Sequence, residues 1–208
     1  MIPTHVAIEG PIGVGKTTLA KRLAQHLGAR EILEDVENPY LGDFYSGRVG
    51  SAFRCQIWFL LMRHAQLRQL QQPELFTQAT VADYVIHKDR IFAYLNLDQA
   101  DLDAYERVFG ALARDLPRPD VVIYLQGSDE VLLQRITKRG RAVERDITPE
   151  YISELNRAYN HYFFHYTETP LLVVNASTAD IAGNDDTFVE LLRQISELEG
   201  GTRYFVPA

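Results

Sequence analysis

His5-Val6-Ala7-Ile8-Glu9-Gly10-Pro11-Ile12-Gly13-Val14-Gly15-Lys16-Thr17-Thr18 is a short apolar run, a glycine-rich loop closed by Lys-Thr, and the opening of a helical pattern. Residues 10 to 17 form a complete Walker A sequence between a predicted strand and a predicted helix, the setting in which the motif has mechanical meaning. The glycines let successive backbone N–H groups turn inward on phosphate oxygens, and the helix N-terminus adds its positive end. Lys16 supplies a mobile charge, and Thr17 offers a hydroxyl to Mg²⁺. A glycine-rich turn beside a surface lysine would explain the same letters without chemistry, but not the full motif in this setting. A nucleoside triphosphate is therefore the expected ligand.

Outward from this loop, short apolar runs recur at Glu31-Ile32-Leu33-Glu34, Thr80-Val81-Ala82, Val121-Val122-Ile123-Tyr124-Leu125 and Leu171-Leu172-Val173-Val174. With the first run they predict five buried parallel strands. Helical periodicity fills residues 15 to 27, about 48 to 71, about 101 to 115, 128 to 139, 148 to 166 and 184 to 198. Alternation of this kind predicts an α/β sandwich. Ser128 reads as an N-cap and Thr148-Pro149 as a helix start.

The 208 residues suit one domain, 1 to 208, because such a chain can bury roughly 70% of its unfolded surface around one core. A formal charge of −7 argues against a nucleic-acid polymer as ligand, since phosphate backbones are bound by net basic surfaces. A local basic pocket is enough for a mononucleotide. The single cysteine, Cys55, the lack of an apolar run near the ~18 residues of a membrane span, and a start without a secretory pattern predict a cytoplasmic protein with no membrane partner. A GTPase-like binding protein is a second class to weigh, but it reads guanine with Asn-Lys-x-Asp. The lysines here, at 16, 21, 88 and 138, never follow asparagine. A P-loop relative that has lost catalysis and serves as a structural subunit is a third.

Ile8 to Thr18, together with the sequence downstream of it, resembles the deoxynucleoside kinase family, especially its bacterial deoxyadenosine and deoxyguanosine kinase branch, through most of the chain. The resemblance implies a P-loop kinase fold, a five-stranded parallel sheet flanked by helices on both faces, and transfer of the γ-phosphoryl group of ATP, with Mg²⁺, to the 5′-hydroxyl of deoxyadenosine, deoxyguanosine or deoxycytidine in nucleotide salvage. ATP would lie on Gly10, Pro11, Ile12, Gly13, Val14, Gly15, Lys16, Thr17 and Thr18. Glu34 falls where the family has its general base, although the same residue taken alone reads as a solvated acid at a strand end. Tyr45, eleven positions before Gln56, and Arg63, seven after it, match the sugar-contacting tyrosine and the base-contacting pair. Gln56 and Arg63 share one helix face, which a solvated charged face with Arg54 and Arg68 would also explain.

Asp83 matches the acid that approaches Mg²⁺ and the phosphates. Many relatives follow it with arginine and serine, whereas this chain has Tyr84 and Val85, so a phosphate-clamping cation has to come from elsewhere. Asp89 matches the base-reading aspartate and is expected to pair with Arg63. Phe92 is a candidate stacking partner for the base and equally a core side chain. Arg135, Arg139 and Arg141 resemble the family's mobile LID, about residues 139 to 146, where guanidinium groups grip the transferring phosphoryl. Cations at a helix end also complement its dipole, and Lys138 reads that way. Glu144 matches the glutamate on the sugar 3′-hydroxyl, with Tyr45 as its partner, and residues 175 to 180 match the loop that passes the ATP adenine. The resemblance further implies a homodimer through parts of 48 to 71 and 101 to 115. A thymidylate kinase-like monophosphate kinase is the nearest enzyme alternative. Glu34 and Glu144 would repel the phosphate on its acceptor.

Overall fold

The computed structural model describes residues 3 to 71 and 79 to 207. Its centre is a parallel sheet of strands β1 (His5–Glu9), β2 (Arg30–Ile32), β3 (Thr80–Ala82), β4 (Val121–Gln126), β5 (Leu171–Asn175) and β6 (Thr202–Phe205), in the order β2-β3-β1-β4-β5-β6. The helices are α1 (Lys16–Leu27), α2 (Leu41–Tyr45), α3 (Ser51–Arg68), α4 (Lys88–Asn96), α5 (Gln99–Leu112), α6 (Asp129–Arg139), α7 (Pro149–Phe164) and α8 (Asp185–Ser196).

The sheet has six strands where the sequence predicts five. β6 is an edge strand in which Phe205 alone is buried, while Thr202 and Tyr204 are exposed, so it lacks the continuous apolar run that marks its neighbours. Two short helices are also additional to the prediction, α2 and α4. Asp89 and Phe92 both lie on α4.

The predicted helix ends agree with their chemistry. The Ser128 hydroxyl accepts the Val131 N–H at 3.4 Å, and the Thr148 hydroxyl accepts the Tyr151 N–H at 3.2 Å with Pro149 in the first turn. Alternation along the strands divides the core. Val6, Ile8, Val81 and Ile123 pack against α1, α6 and α8, whereas Ala7, Val122, Tyr124 and Val173 pack against Leu155, Tyr159 and Phe163 of α7. Under β2 and β3 a third cluster joins Ile32 and Ala82 to Leu60 and Leu67 of α3 and to Tyr105 and Phe109 of α5. Each large apolar side chain so buried contributes about 1.5–3 kcal/mol. These packings fix α3 and α4 above the carboxyl ends of β1, β2 and β3, the end of an open parallel sheet where ligands bind.

Candidate active site

The loop after β1 is a phosphate cradle built on left-handed glycines. Gly13 has φ +86°, and a Cβ there would lie 2.9 Å from the Leu132 carbonyl oxygen, so glycine is required on both counts. Gly15, at φ +109°, delivers the chain into α1. Lys16 is folded back on this loop, its Nζ donating to the carbonyls of Gly10 at 2.7 Å and Pro11 at 3.1 Å. Burial, with the charge of Lys88 adding to it, lowers the Lys16 ammonium to about 8.

Thr17 donates its hydroxyl to Asp83 Oδ2 at 2.5 Å, and the Glu34 N–H donates to Asp83 Oδ1 at 2.6 Å. Asp83 thereby ties the first turn of α1 to the loop after β2. A hydroxyl and a carboxylate side by side at a phosphate cradle are hard oxygen donors, a set that fits Mg²⁺ shared with phosphate and water.

The Glu34 carboxylate is held from two helices. Arg63 of α3 donates Nε to Oε1 at 2.9 Å and adds Nη2 to the same oxygen, while Lys88 of α4 donates Nζ to Oε2 at 2.7 Å. Burial opposes its charge, but Lys88 and Arg63 outweigh burial and hold the carboxyl well below the usual carboxylate range. Arg63 Nη1 is meanwhile ion-paired with Asp89 Oδ1, and neither side chain is more than 5% exposed. The pairing of Arg63 with Asp89 is the one expected from the sequence; the simultaneous grip of Arg63 on Glu34 is not. Asp89 also accepts from the Tyr105 hydroxyl at 2.8 Å, and its backbone carbonyl accepts from Gln56 Nε2 at 2.8 Å.

Glu34, Arg63, Lys88 and Gln56 face a cavity of about 240 Å³ that is also lined by Tyr45, Phe92 and Glu144, whereas Asp89, fully buried, does not line it. Phe92 stands edge-on to Tyr159, ring centres 6.2 Å apart. Glu144 does not hydrogen-bond Tyr45: it accepts from Arg139 Nη2 at 2.6 Å and Nε at 3.2 Å, with Arg141 Nη1 at 3.7 Å. Burial raises the Tyr45 phenol above its ordinary value, with Tyr151 and Glu144 adding to it. Arg135 spends its guanidinium on the backbone, Nη1 donating to Val14 O at 2.9 Å and Nη2 to Ala176 O at 3.0 Å. A second cavity, of about 590 Å³, runs along the outer side of the cradle between Thr18, Arg139, Arg141 and the stretch 179 to 182.

The sequence assigns no role to Glu9 or Lys88 and does not disclose where Tyr84 turns. Tyr84 occupies the place after Asp83 and turns away, donating its hydroxyl to Gln66 Oε1 at 2.8 Å. Glu9, fully buried, accepts the Gly10 N–H at 3.0 Å and the Val85 N–H at 2.9 Å, joining the cradle to the loop after β3. Burial raises its carboxyl above the ordinary value, with Lys88 and Lys16 opposing. For Lys88 the available signal is its place directly before Asp89 in a lysine-poor chain.

Among the described residues no helix is long and apolar enough to cross a membrane. The sequence profile of the deoxynucleoside kinase family matches residues 6 to 198. A deoxyguanosine kinase of Bacillus subtilis is 37% identical over 93% of this chain and 96% of its own length. A deoxyadenosine/deoxycytidine kinase of the same organism is 31% identical over 93% and 92%. Among solved structures, deoxyadenosine kinase from M. mycoides with the products dCMP and a flexible dCDP superposes with a TM-score of 0.80 at 30% identity, covering 93% of this chain and 99% of that one.

Proposed function

The chain belongs to the deoxynucleoside kinase family, and from that premise we propose that it transfers the γ-phosphoryl group of ATP to the 5′-hydroxyl of a deoxynucleoside bearing an amino group on its base. The observation that carries this reading is the meeting of Lys16, Glu34 and Arg63, itself paired with the buried Asp89, around one cavity beside the phosphate cradle. The acceptor lies in that cavity and ATP along the second, outer one.

Glu34 accepts the hydrogen bond of the 5′-hydroxyl. Its low basicity is compatible with the role, because phosphoryl transfer passes through a loose transition state in which positioning and charge count for more than early proton removal. Lys16 leaves the carbonyls of its own loop for the phosphates, and Arg139 and Arg141 close over them as part of a LID of about residues 139 to 146. Thr17 and Asp83 would hold Mg²⁺, which when bound supplies positive charge between the phosphates. Asp89, once Arg63 or Tyr105 yields one of its oxygens, accepts from the exocyclic amino group of the base, Gln56 and Phe92 border that base, and Tyr45 and Glu144 serve the sugar. Arg135 steadies the cradle through Val14 and the adenine-side loop through Ala176, which is what its two hydrogen bonds support.

A homodimer in the cytoplasm belongs to the same proposal. Leu61, half-exposed on α3, supports a contact through that helix and α5, and light scattering reads the mass. A thymidylate kinase-like reading is disfavoured by Glu34 and Glu144 in the acceptor cavity. The test is ATP consumption with each of the four deoxynucleosides and with thymidylate, the products resolved by chromatography. Deoxyadenosine, deoxyguanosine or deoxycytidine should yield its 5′-monophosphate. Turnover of thymidylate with none of any deoxynucleoside would overturn the proposal.

A further inference from the structure

We propose that Lys88 is a positioning residue for the reaction, holding the Glu34 carboxylate from the side opposite Arg63 so that one lone pair of Oε2 faces the acceptor hydroxyl. The inference rests on the kinase reading above and deepens it.

Lys88 is 3% exposed. A buried ammonium is expensive unless it is paired, and Glu34 Oε2, at 2.7 Å, is what pairs it. Glu34 itself sits in the loop after β2, outside any helix or strand. What fixes it is lateral: its N–H on Asp83, its Oε1 on Arg63, its Oε2 on Lys88. A carboxylate offers about four lone-pair sites. Arg63 takes both of those on Oε1 and Lys88 takes one on Oε2, which leaves a single site, on the oxygen that Lys88 controls. Without Lys88 the outer torsion of Glu34 is free to turn, because such a terminal torsion is broad and Arg63 binds only one end of the group. Arg63 cannot compensate, since its remaining nitrogen is engaged by Asp89. Tyr84, at the position after Asp83, directs its hydroxyl to Gln66 and brings no charge. Lys88 is thus the second cation on Glu34, and it comes from the same helix turn as Asp89, so the base-facing and hydroxyl-facing groups are set by one element.

Misplacing a reacting group by about 1 Å costs on the order of a hundredfold in rate. Lys88→Met, which keeps the length and removes the charge, should therefore lower kcat by roughly ten- to a hundredfold while KM for ATP and deoxynucleoside changes less than about threefold. Lys88→Arg should recover most of the loss. The deciding measurement is a double-mutant cycle. If Lys88 works through Glu34, adding Lys88→Met to Glu34→Gln should cost less than about threefold more. Multiplying losses would overturn the inference, because Lys88 would then act on phosphate independently of Glu34. So would an unchanged kcat in Lys88→Met, or a folded Lys88→Arg no better than Lys88→Met. If the apolar variant does not fold, Lys88→Gln takes its place in the cycle, where a non-additive loss supports the inference and a multiplying one overturns it. Wild-type turnover is the reference throughout: its absence overturns the kinase reading itself, whereas normal wild-type turnover with an additive cycle overturns only the role of Lys88.

Discussion

The Arg63 guanidinium and the Asp89 carboxylate form an ion pair sealed from solvent, and the same guanidinium holds Glu34. One side chain on α3 therefore links the group proposed to read the base with the group proposed to meet the 5′-hydroxyl. Removing Asp89 leaves two buried cations, Arg63 and Lys88, sharing the one carboxylate of Glu34, and such an unbalanced buried charge costs about 3–5 kcal/mol, whereas removing Arg63 together with Asp89 restores the balance and is far milder. Asp89→Ala alone should lower stability in urea by more than the double variant Arg63→Met, Asp89→Ala does.

The same double variant separates base reading from architecture. Thymidine presents a carbonyl where Asp89 accepts, and an unpaired buried polar group costs about 1–3 kcal/mol, or roughly ten- to a hundredfold in kcat/KM. Absolute kcat should fall, because Glu34 loses one of its two cations. The ratio of thymidine to deoxyadenosine and deoxycytidine activity should nevertheless rise. Proportionate loss on all four substrates would make the pair architectural and place base recognition elsewhere in the cavity.

Glu34→Gln should reduce kcat by about a hundredfold or more with little change in KM, since the carboxylate is proposed to act on the reacting hydroxyl and not on the base or sugar. Glu34→Asp keeps the charge but shortens the reach to Arg63 and Lys88 by one methylene, so it should fall between wild type and the amide. Single-turnover rates at saturating substrate make the comparison. A kcat preserved in Glu34→Gln removes Glu34 from the reaction.

What the sequence discloses here depends on distance along the chain. The cradle is legible because Gly10 to Thr17 is contiguous, and its backbone geometry is encoded in the glycines themselves. Buried strands are legible because burial on both faces demands an unbroken apolar run. β6 is not, since three of its four side chains are exposed or half-exposed. Arg63 with Asp89 can be anticipated by resemblance, but Lys88 on Glu34 joins residues 54 apart. That contact exists only because α4, itself too short for periodicity to reveal, packs over the loop after β2. Tyr84 shows the converse: its lack of charge is plain in the sequence, and its turn toward Gln66 is not.

Cys55 lines the acceptor cavity yet is buried, and burial pushes its thiol up to about 12. The thiolate is the reactive form. At pH 8 the thiol therefore stays almost wholly protonated, so the folded protein should resist iodoacetamide for hours while the urea-unfolded chain takes up one equivalent. Mass spectrometry reads the adduct. Rapid modification of the folded form would mean that α3 opens around Cys55 far more readily than its packing implies.

Phe205 tests whether the sixth strand contributes to stability apart from the chemistry. Its side chain is buried in the same core as Val174 and Phe188, and its strand pairs in register with β5, Val174 opposite Phe205. β6 forms the far edge of the sheet, separated from β1 by β4 and β5, so no group proposed for catalysis rests on it directly. Phe205→Ala removes most of an aromatic side chain from a packed interior, a change that costs about 3 kcal/mol or more. For a chain of this size each kcal/mol moves Tm by about 2–4 °C, which gives an expected fall of about 6–12 °C. At 25 °C, well below the transition, kcat and KM should stay within about twofold of wild type. Deleting 202 to 208 should lower Tm further and also promote aggregation, because it strips the cover from β5 and leaves a hydrophobic strand with an open hydrogen-bonding edge. If Phe205→Ala melts with the wild type, β6 adds nothing to stability. If it lowers kcat while leaving Tm alone, the far edge of the sheet is coupled to the acceptor cavity through β4 and β5.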